Sequence, residues 1–82
     1  MMEELGEVKH YYPKIGVAIV ELKSPLKVGD KIRIKGSKTD FEQIVESMQI
    51  EHKNIQYAEA GKSIGLKVNQ KVKEGDLIYA VR

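Results

Sequence analysis

Alternating apolar and polar positions divide much of this chain into short β-strands. The clearest case is Lys31–Lys35, where Ile32 and Ile34 alternate with basic residues, and this period of two predicts a strand with one buried face. Residues 63–68 alternate in the same way, and Leu77–Val81 is predicted to form a final strand. No segment of ten residues shows the period of an amphipathic helix. The pattern therefore predicts an all-β protein.

Two further segments depart from simple alternation. Residues 15–22 form a nearly continuous apolar run, which predicts a strand covered on both faces. Residues 41–50 predict a longer strand whose apolar residues change face between Val45 and Met48, as a bulge would allow. Short strands at short spacing favour a closed Greek-key barrel of six or seven strands, since closure leaves no exposed sheet edge. The predicted core contains Val17, Ile19, Ile32, Ile34, Met48, Ile64, Leu66, Ile78 and Ala80.

Glycine-containing corners separate the predicted strands. The pair Gly-Asp occurs twice, each time directly before a predicted strand. Glycine adopts backbone angles that other residues resist, and the following aspartate can hydrogen-bond nearby backbone and fix the corner. An Ala-Gly turn at residues 60–61 precedes residues 63–68, and a further glycine at position 65 interrupts them. The predicted turn residues are Gly29, Asp30, Gly61, Gly65, Gly75 and Asp76.

Size and composition limit the possible functions. The 82 residues suit a single domain, 1–82, in which the polar residues 1–7 are expected to be frayed. The chain has no cysteine, which excludes disulfides and cysteine-based metal sites. The acidic start of the sequence predicts no secretory leader, and no apolar run of about 18 residues occurs, so a cytoplasmic protein without membrane contact is expected. The net charge of +2 does not by itself predict nucleic-acid binding.

The sequence predicts no catalytic residue, metal ligand or cofactor. Residues 61–63, Gly-Lys-Ser, resemble the end of a phosphate-binding loop, but Gln56 stands where the first glycine of that loop belongs. A strand rather than a helix is predicted to follow, so no GTP binding is expected. His10 and His52 lie far apart, and neither belongs to a recognisable nucleophile–base pair or ligand spacing. We therefore expect no enzymatic activity.

A cluster of aromatic and basic residues lies near the start of the chain, at residues 9–14. Aromatic rings can stack on unpaired bases while lysines contact phosphates. In the alternative interpretation, one tyrosine packs on the core, the other faces solvent, and the lysines are ordinary surface charges. More distant lysines would extend the surface if the fold brought them close. The candidate RNA-binding residues are Lys9, His10, Tyr11, Tyr12, Lys14, Lys62 and Lys71.

Four phrases in order carry a family resemblance. They are Leu-Lys-Val-Gly-Asp-Lys-Ile at 26–32, Ser-Met at 47–48, Ala-Glu-Ala-Gly-Lys-Ser-Ile-Gly-Leu at 58–66, and Glu-Gly-Asp at 74–76. Residues 15–81 resemble the second-domain β-barrel of translational GTPases of the elongation factor Tu and initiation factor two type. The resemblance implies a stand-alone barrel that contacts tRNA or ribosomal RNA and lacks the GTPase domain. Related barrels also occur at the C-terminus of collagenase-like peptidases that act in RNA modification.

Two functions of different classes remain open at this point. In the first, the chain is a non-catalytic binding module for RNA, or for a protein of translation or RNA modification. In the second, it is a protein-interaction barrel that serves as an accessory subunit of a larger enzyme, such as a collagenase-like peptidase. The family resemblance favours the first of these, and the absence of any catalytic motif agrees with both.

Overall fold

The computed structural model describes residues 2–81, and within that range all regular structure is β. The all-β prediction is therefore confirmed. The described strands are β1 Met2–Tyr12, β2 Val17–Leu22, β3 Leu26–Lys27, β4 Lys31–Lys35, β5 Asp40–Ile44, β6 Met48–Ile50, β7 Lys53–Ile55, β8 Tyr57–Ala58, β9 Ser63–Lys67 and β10 Leu77–Val81.

Eight of these strands form one antiparallel sheet in the order β5-β4-β10-β1-β2-β9-β6-β7. Strands β3 and β8 form a separate two-stranded sheet. Within residues 2–81 no pairing joins the edge strand β5 to the edge strand β7, so the sheet stays open. The prediction of a closed six- or seven-stranded barrel is therefore wrong. The chain leaves regular pairing at residues 45–47, between β5 and β6, where closure would have required a continuous strand.

A buried side chain, rather than a strand, ties the edge strand β5 to the chain beyond β9. Gln43 on β5 is only 6% exposed. Its Nε2 donates to the carbonyl oxygen of Lys67 at 2.9 Å, and its Oε1 accepts from the backbone nitrogen of Asn69 at 2.8 Å. The carboxamide therefore supplies one donor and one acceptor, as a backbone peptide group would in a sheet ladder.

Strand β1 is the longest strand and pairs on both sides. Its first half pairs with β10, from Met2 opposite Val81, and its second half pairs with β2, up to Tyr12 opposite Val17. The register shifts twice along β1, and such bulges bend a strand and increase its twist. Residues 1–7 were expected to be frayed, but residues 2–7 pair with β10 and Leu5 is buried; Met1 lies outside the described residues.

The core lies on the inner face of the large sheet. Buried members of the predicted core are Ile32, Ile34, Met48, Ile64, Leu66, Ile78 and Ala80. The prediction is wrong for Val17 and Ile19, which are only half-buried on the outer face, while Ala18, Val20 and Leu22 fill the core. A strand has a side-chain period of two, so its register against β9 decides which set faces inward.

Both Gly-Asp corners adopt the same local structure. Gly29 and Gly75 have φ angles of 98° and 91°, in the left-handed region that favours glycine. At the first corner the backbone nitrogen of Lys27 donates to Asp30 Oδ2 at 3.1 Å. At the second corner the backbone nitrogen of Lys73 donates to the buried Asp76 Oδ2 at 2.9 Å. One sequence phrase therefore builds one hydrogen-bonded turn in two places.

The other two predicted corner glycines differ from each other. Gly61 has a φ angle of 87° and lies in a turn, next to the start of β9. Gly65 instead lies inside β9, opposite Ile19 on β2 and Gln49 on β6. Its assignment as a turn residue is therefore corrected: it is a strand residue in the middle of the sheet.

Replacing Gly36 by Ala is expected to destabilise the fold, because the new methyl group would overlap the carboxylate of Asp76. An ideal Cβ on Gly36 would lie 1.9 Å from Asp76 Oδ1. We expect the free energy of unfolding, measured by urea denaturation, to fall by about 1–3 kcal/mol. The control is Gly65→Ala, whose Cβ would have its nearest neighbour at 3.4 Å and should leave stability unchanged or slightly raised. Equal effects of the two substitutions would contradict this account.

Candidate functional site

The predicted RNA-binding residues do not converge on one patch. Lys14 lies in the turn between β1 and β2, whereas Lys62 lies at the opposite end of β2, where its carbonyl oxygen accepts from the backbone nitrogen of Leu22 at 2.9 Å. The six residues of β2 separate these ends by roughly 17 Å. Lys71 follows β9 at the Lys14 end, because Val68 donates to Gly16 in the adjacent turn. Lys62 is therefore remote from the others.

Acidic side chains accompany the aromatic and basic cluster at residues 9–14. Lys9 Nζ lies 3.6 Å from a carboxylate oxygen of Glu7, and His10 Nδ1 lies 3.2 Å from one of Glu74. The imidazole of His10 also packs edge-on against the ring of Tyr12, with centroids 4.3 Å apart. Tyr11 packs against the core, so the two tyrosines face different surroundings. The RNA-binding role of the seven candidate residues stays a prediction.

An ion-pair cluster covers the outer face of β4 and β5. Arg33 donates to both carboxylate oxygens of Asp40, at 2.7 Å and 3.0 Å, and lies 3.5 Å from Glu42. The hydrogen bond from Arg33 lowers the pKa of Asp40, and the hydrogen bond to Asp40 raises the pKa of Arg33. Charged side chains on an edge strand discourage pairing with other chains. We therefore interpret this cluster as protection of the open sheet edge at β5 against pairing with other chains.

A mainly apolar groove lies on the outer face of β2, β6 and β9. Its volume is about 540 Å³. We call it the outer groove and define it by Tyr12, Ile15, Val17, Ile19, Gln49 and Gly65, with Glu51 and His52 at its rim. Ile15 is 66% exposed and Tyr12 is 46% exposed. The outer groove therefore presents large apolar side chains to solvent.

The rim of the outer groove is a strained turn. Strands β6 and β7 are joined by Glu51 and His52, whose φ angles are 50° and 65°. Tight hairpin turns of this left-handed kind favour Asn-Gly or Gly-Gly, because a side chain there is unfavourable by roughly 1–2 kcal/mol per residue. The chain nevertheless places a carboxylate and an imidazole at this position, beside the apolar lining.

The backbone of Gly65 forms part of the outer groove. Its φ angle is outside the left-handed region, and an added Cβ would lie 3.4 Å from Val17 Cγ1, which is ordinary contact. Neither backbone conformation nor crowding therefore requires glycine here. A glycine inside a strand is less stable than alanine by roughly 0.5–1 kcal/mol. Its evident consequence is a recess between Val17, Ile19 and Gln49.

Sequence reasoning missed the outer groove, although a signal for it was present. The apolar run at residues 15–22 predicts a strand covered on both faces. In the structure only the inner face of β2 is covered by the core, while Val17 and Ile19 are part of the groove. The run therefore indicated an apolar outer surface as well as a core strand.

The described part of the chain contains neither a metal-binding cluster nor a membrane-spanning helix. Residues 2–81 contain no group of three or more His, Asp or Glu side chains arranged to hold a metal ion. The same residues include no helix with the length and apolar character needed to cross a membrane.

Residues 3–78 match the family model described as the Peptidase family U32 C-terminal domain. The chain belongs to this family. The U32 domain is 44% identical to an uncharacterized protease of Methanocaldococcus jannaschii over 80 residues, which is 96% of this chain. It is 34% identical to a collagenase of Porphyromonas gingivalis over 77 residues, which is 92% of this chain. These matches cover 20% and 21% of the two relatives, so the chain spans about a fifth of their length.

Solved structures agree with the family assignment. A C-terminal domain of a protein described as a U32 peptidase from Geobacillus thermoleovorans superposes with a TM-score of 0.91 at 22% identity, over 98% of this chain and 93% of that one. Its selenomethionine variant gives a TM-score of 0.88 at 23% identity, over 93% and 96% of the two chains. At this level of identity the likeness establishes the shared fold.

The family match corrects the resemblance to the second-domain barrel of translational GTPases, which is wrong. The phrases that suggested it are corners such as Gly29-Asp30 and Gly75-Asp76 and core positions such as Met48. Residues of this kind specify turns and packing rather than a function. The U32 assignment fits an accessory module of a collagenase-like peptidase better than a translation-factor barrel that binds RNA.

Proposed function

We propose that this U32 domain is a non-catalytic accessory module that docks onto the peptidase body of a U32 protease. By peptidase body we mean the four-fifths of a curated relative that this chain does not match. The observation that carries the proposal is the match of residues 3–78 to a C-terminal domain family whose curated relatives are about five times as long as this chain. A module that accompanies a larger chain has a natural protein partner in that chain.

The surface chemistry of the domain supports a binding role. The outer groove presents apolar side chains, and apolar patches rimmed by polar residues are typical of interaction sites on soluble proteins. The aromatic and basic cluster, in contrast, is accompanied by Glu7 and Glu74, which weaken its attraction for phosphate groups. A protein partner therefore suits the described surface better than a nucleic acid.

The proposal is tested with the relative from Methanocaldococcus jannaschii. The matching fifth of that protein is deleted, this chain is added in trans, and association is measured by sedimentation velocity. We expect a one-to-one complex. The full-length relative is the control, and it should bind the added chain weakly or not at all, because its own domain occupies the docking surface. If this chain sediments alone beside a folded peptidase body, or binds both forms equally, the proposal fails.

A further inference from the structure

We infer that the outer groove is the docking surface for the peptidase body, with an apolar side chain of the body seated over Gly65. The inference rests on the proposed function and names the surface that carries it. Three features of the groove point to an occupant: its uncovered apolar wall, the glycine in its recess, and the strained turn at its rim.

The first feature is the uncovered outer face of β2. Ala18 and Val20 are buried in the core, whereas Val17 and Ile19 are part of the groove. The neighbouring Ile15 remains 66% exposed. Burial of apolar surface is favourable by roughly 25 cal/mol per Å², so a strand with apolar residues on both faces gains from a partner on its second face. The described residues of the chain cover Val17 and Ile19 only in part.

The second feature is Gly65. Glycines inside strands often mark a place where a ligand or another chain approaches closely. Gly6 in β1 has a different explanation, since a Cβ there would lie 2.5 Å from the carbonyl oxygen of Glu21. Gly65 has no such neighbour and no left-handed angle, so the structure of the isolated domain does not require it. An occupant that enters the recess would require glycine at position 65, because a larger side chain would fill the space.

The third feature is the turn formed by Glu51 and His52. Left-handed non-glycine residues persist where the surrounding structure imposes them, and they cluster at binding sites and ligand clamps. Here they place a carboxylate and an imidazole at the edge of an apolar recess. Polar groups at the rim of an apolar centre are typical of protein interfaces.

The peptidase body is the occupant that the length of the relatives favours, because four-fifths of each relative accompanies the fifth that this chain matches. This domain has a radius of gyration of 11.0 Å and extends 31 × 30 × 19 Å. A body about four times as long would have a radius of gyration of roughly 20 Å, wide enough to cover a whole face of this domain. Because the walls of the groove belong to one sheet face, a protein surface can reach all of them together. A second copy of this chain or a small apolar ligand is an alternative outcome of the test.

The experiment compares two tyrosines that are similarly exposed in the isolated chain. Tyr12 in the outer groove is 46% exposed, and Tyr57, which lies outside it, is 55% exposed. In a graft, this chain replaces the matching fifth of the full-length Methanocaldococcus jannaschii relative. The graft and the isolated chain are then each footprinted with hydroxyl radicals. Because residues at the centre of an interface lose contact with water, the oxidation rate of Tyr12 should fall about five-fold in the graft. The rate of Tyr57 should stay unchanged.

Substitutions then test the recess itself. Gly65→Val fills the recess with a side chain that suits a strand, and it should weaken binding to the deleted relative about ten-fold or more, which corresponds to about 1.4 kcal/mol. Ile44→Ala removes an exposed apolar residue outside the groove and should leave the affinity unchanged. Thermal unfolding checks that each variant is folded. If Gly65→Val does not fold, Ile15→Ser is used in its place, and the same loss of affinity is expected.

The outcomes separate the two proposals. Association with protection of Tyr57 instead of Tyr12, or with full binding by Gly65→Val, overturns the groove assignment and leaves the accessory module intact. Protection of Tyr12 in the isolated chain that grows with its concentration identifies a second copy as the occupant and overturns the inference. Protection of Tyr12 in the isolated chain at every concentration, by a small apolar compound that copurifies with it, identifies that compound as the occupant and does the same. No association in trans and no protection in the graft overturn both proposals.

Discussion

Replacing Ile34 by Ala is expected to lower the free energy of unfolding by about 2–5 kcal/mol. Ile34 lies in β4 between Ile78 on β10 and Phe41 on β5, and its side chain is fully buried. Removing buried carbon atoms loses their transfer free energy and leaves a cavity that the closely packed surroundings only partly fill. Small domains are stable by only about 5–15 kcal/mol, so this change should be visible as a large fall in the urea midpoint.

The matched control for that prediction is Ile44→Ala. Ile44 is the same residue type on the adjacent strand β5, but about half of its surface is exposed. Surface substitutions of this kind usually change stability by less than about 0.5 kcal/mol. Similar effects at the two isoleucines would show that the inner face of β4 does not carry the core.

Replacing Gln43 by Leu is expected to destabilise the domain by about 2–4 kcal/mol, because two backbone groups lose their partners. Leucine has a similar size but cannot accept from Asn69 or donate to the carbonyl oxygen of Lys67. Both hydrogen bonds are partly buried, and a polar group left without a partner away from water is unfavourable by about 1–3 kcal/mol. The amide proton of Asn69 should also exchange faster with solvent, which hydrogen-exchange NMR measures directly.

The control for Gln43 is Gln49→Leu. Gln49 is exposed, and its Nε2 donates only to the side chain of Asn54, at 3.0 Å. That substitution should change stability by less than about 0.5 kcal/mol and leave the exchange of Asn69 unaffected. Unchanged protection of Asn69 in Gln43→Leu would mean that the carboxamide does not hold the segment after β9.

The strands with strict alternation were the most predictable part of the fold. Lys31–Lys35 alternates without exception, so only one face could be apolar, and Ile32 and Ile34 are buried as expected. The two Gly-Asp pairs also form the predicted hydrogen-bonded turns, because that chemistry is local and needs no distant partner. Local patterns of this kind were enough to establish the all-β class.

The inner face of β2 and the open sheet could not be deduced in this way. In a continuous apolar run, the residues give no preference for one face, and pairing with β9 decides that Ala18 rather than Val17 faces the core. Barrel closure depends on whether β5 continues into β6 as one regular strand. That outcome rests on the irregular residues 45–47 and on the side chain of Gln43, whose two hydrogen bonds join positions 24 and 26 residues away.

The candidate site was the least predictable part. Residues 9–14 looked basic and aromatic in one dimension, but ion pairs with Glu7 and the distant Glu74 appear only in the fold. The outer groove combines residues 12–19 with positions 49 and 65, and no short motif records that combination. The translational GTPase resemblance was misleading because its phrases consist of turn and core positions, which specify folding rather than a function.

The pairing of β1 with β10 has a consequence for how this chain is synthesised. Met2 lies opposite Val81, so β1 completes its pairing only with β10, which is about seventy residues later in the chain. The central strand order β4-β10-β1-β2 therefore cannot assemble until residues 77–81 have left the ribosome. A nascent chain of this domain waits with an unpaired edge, and a ribosome that stops before residue 77 releases a product with neither β10 nor a finished core.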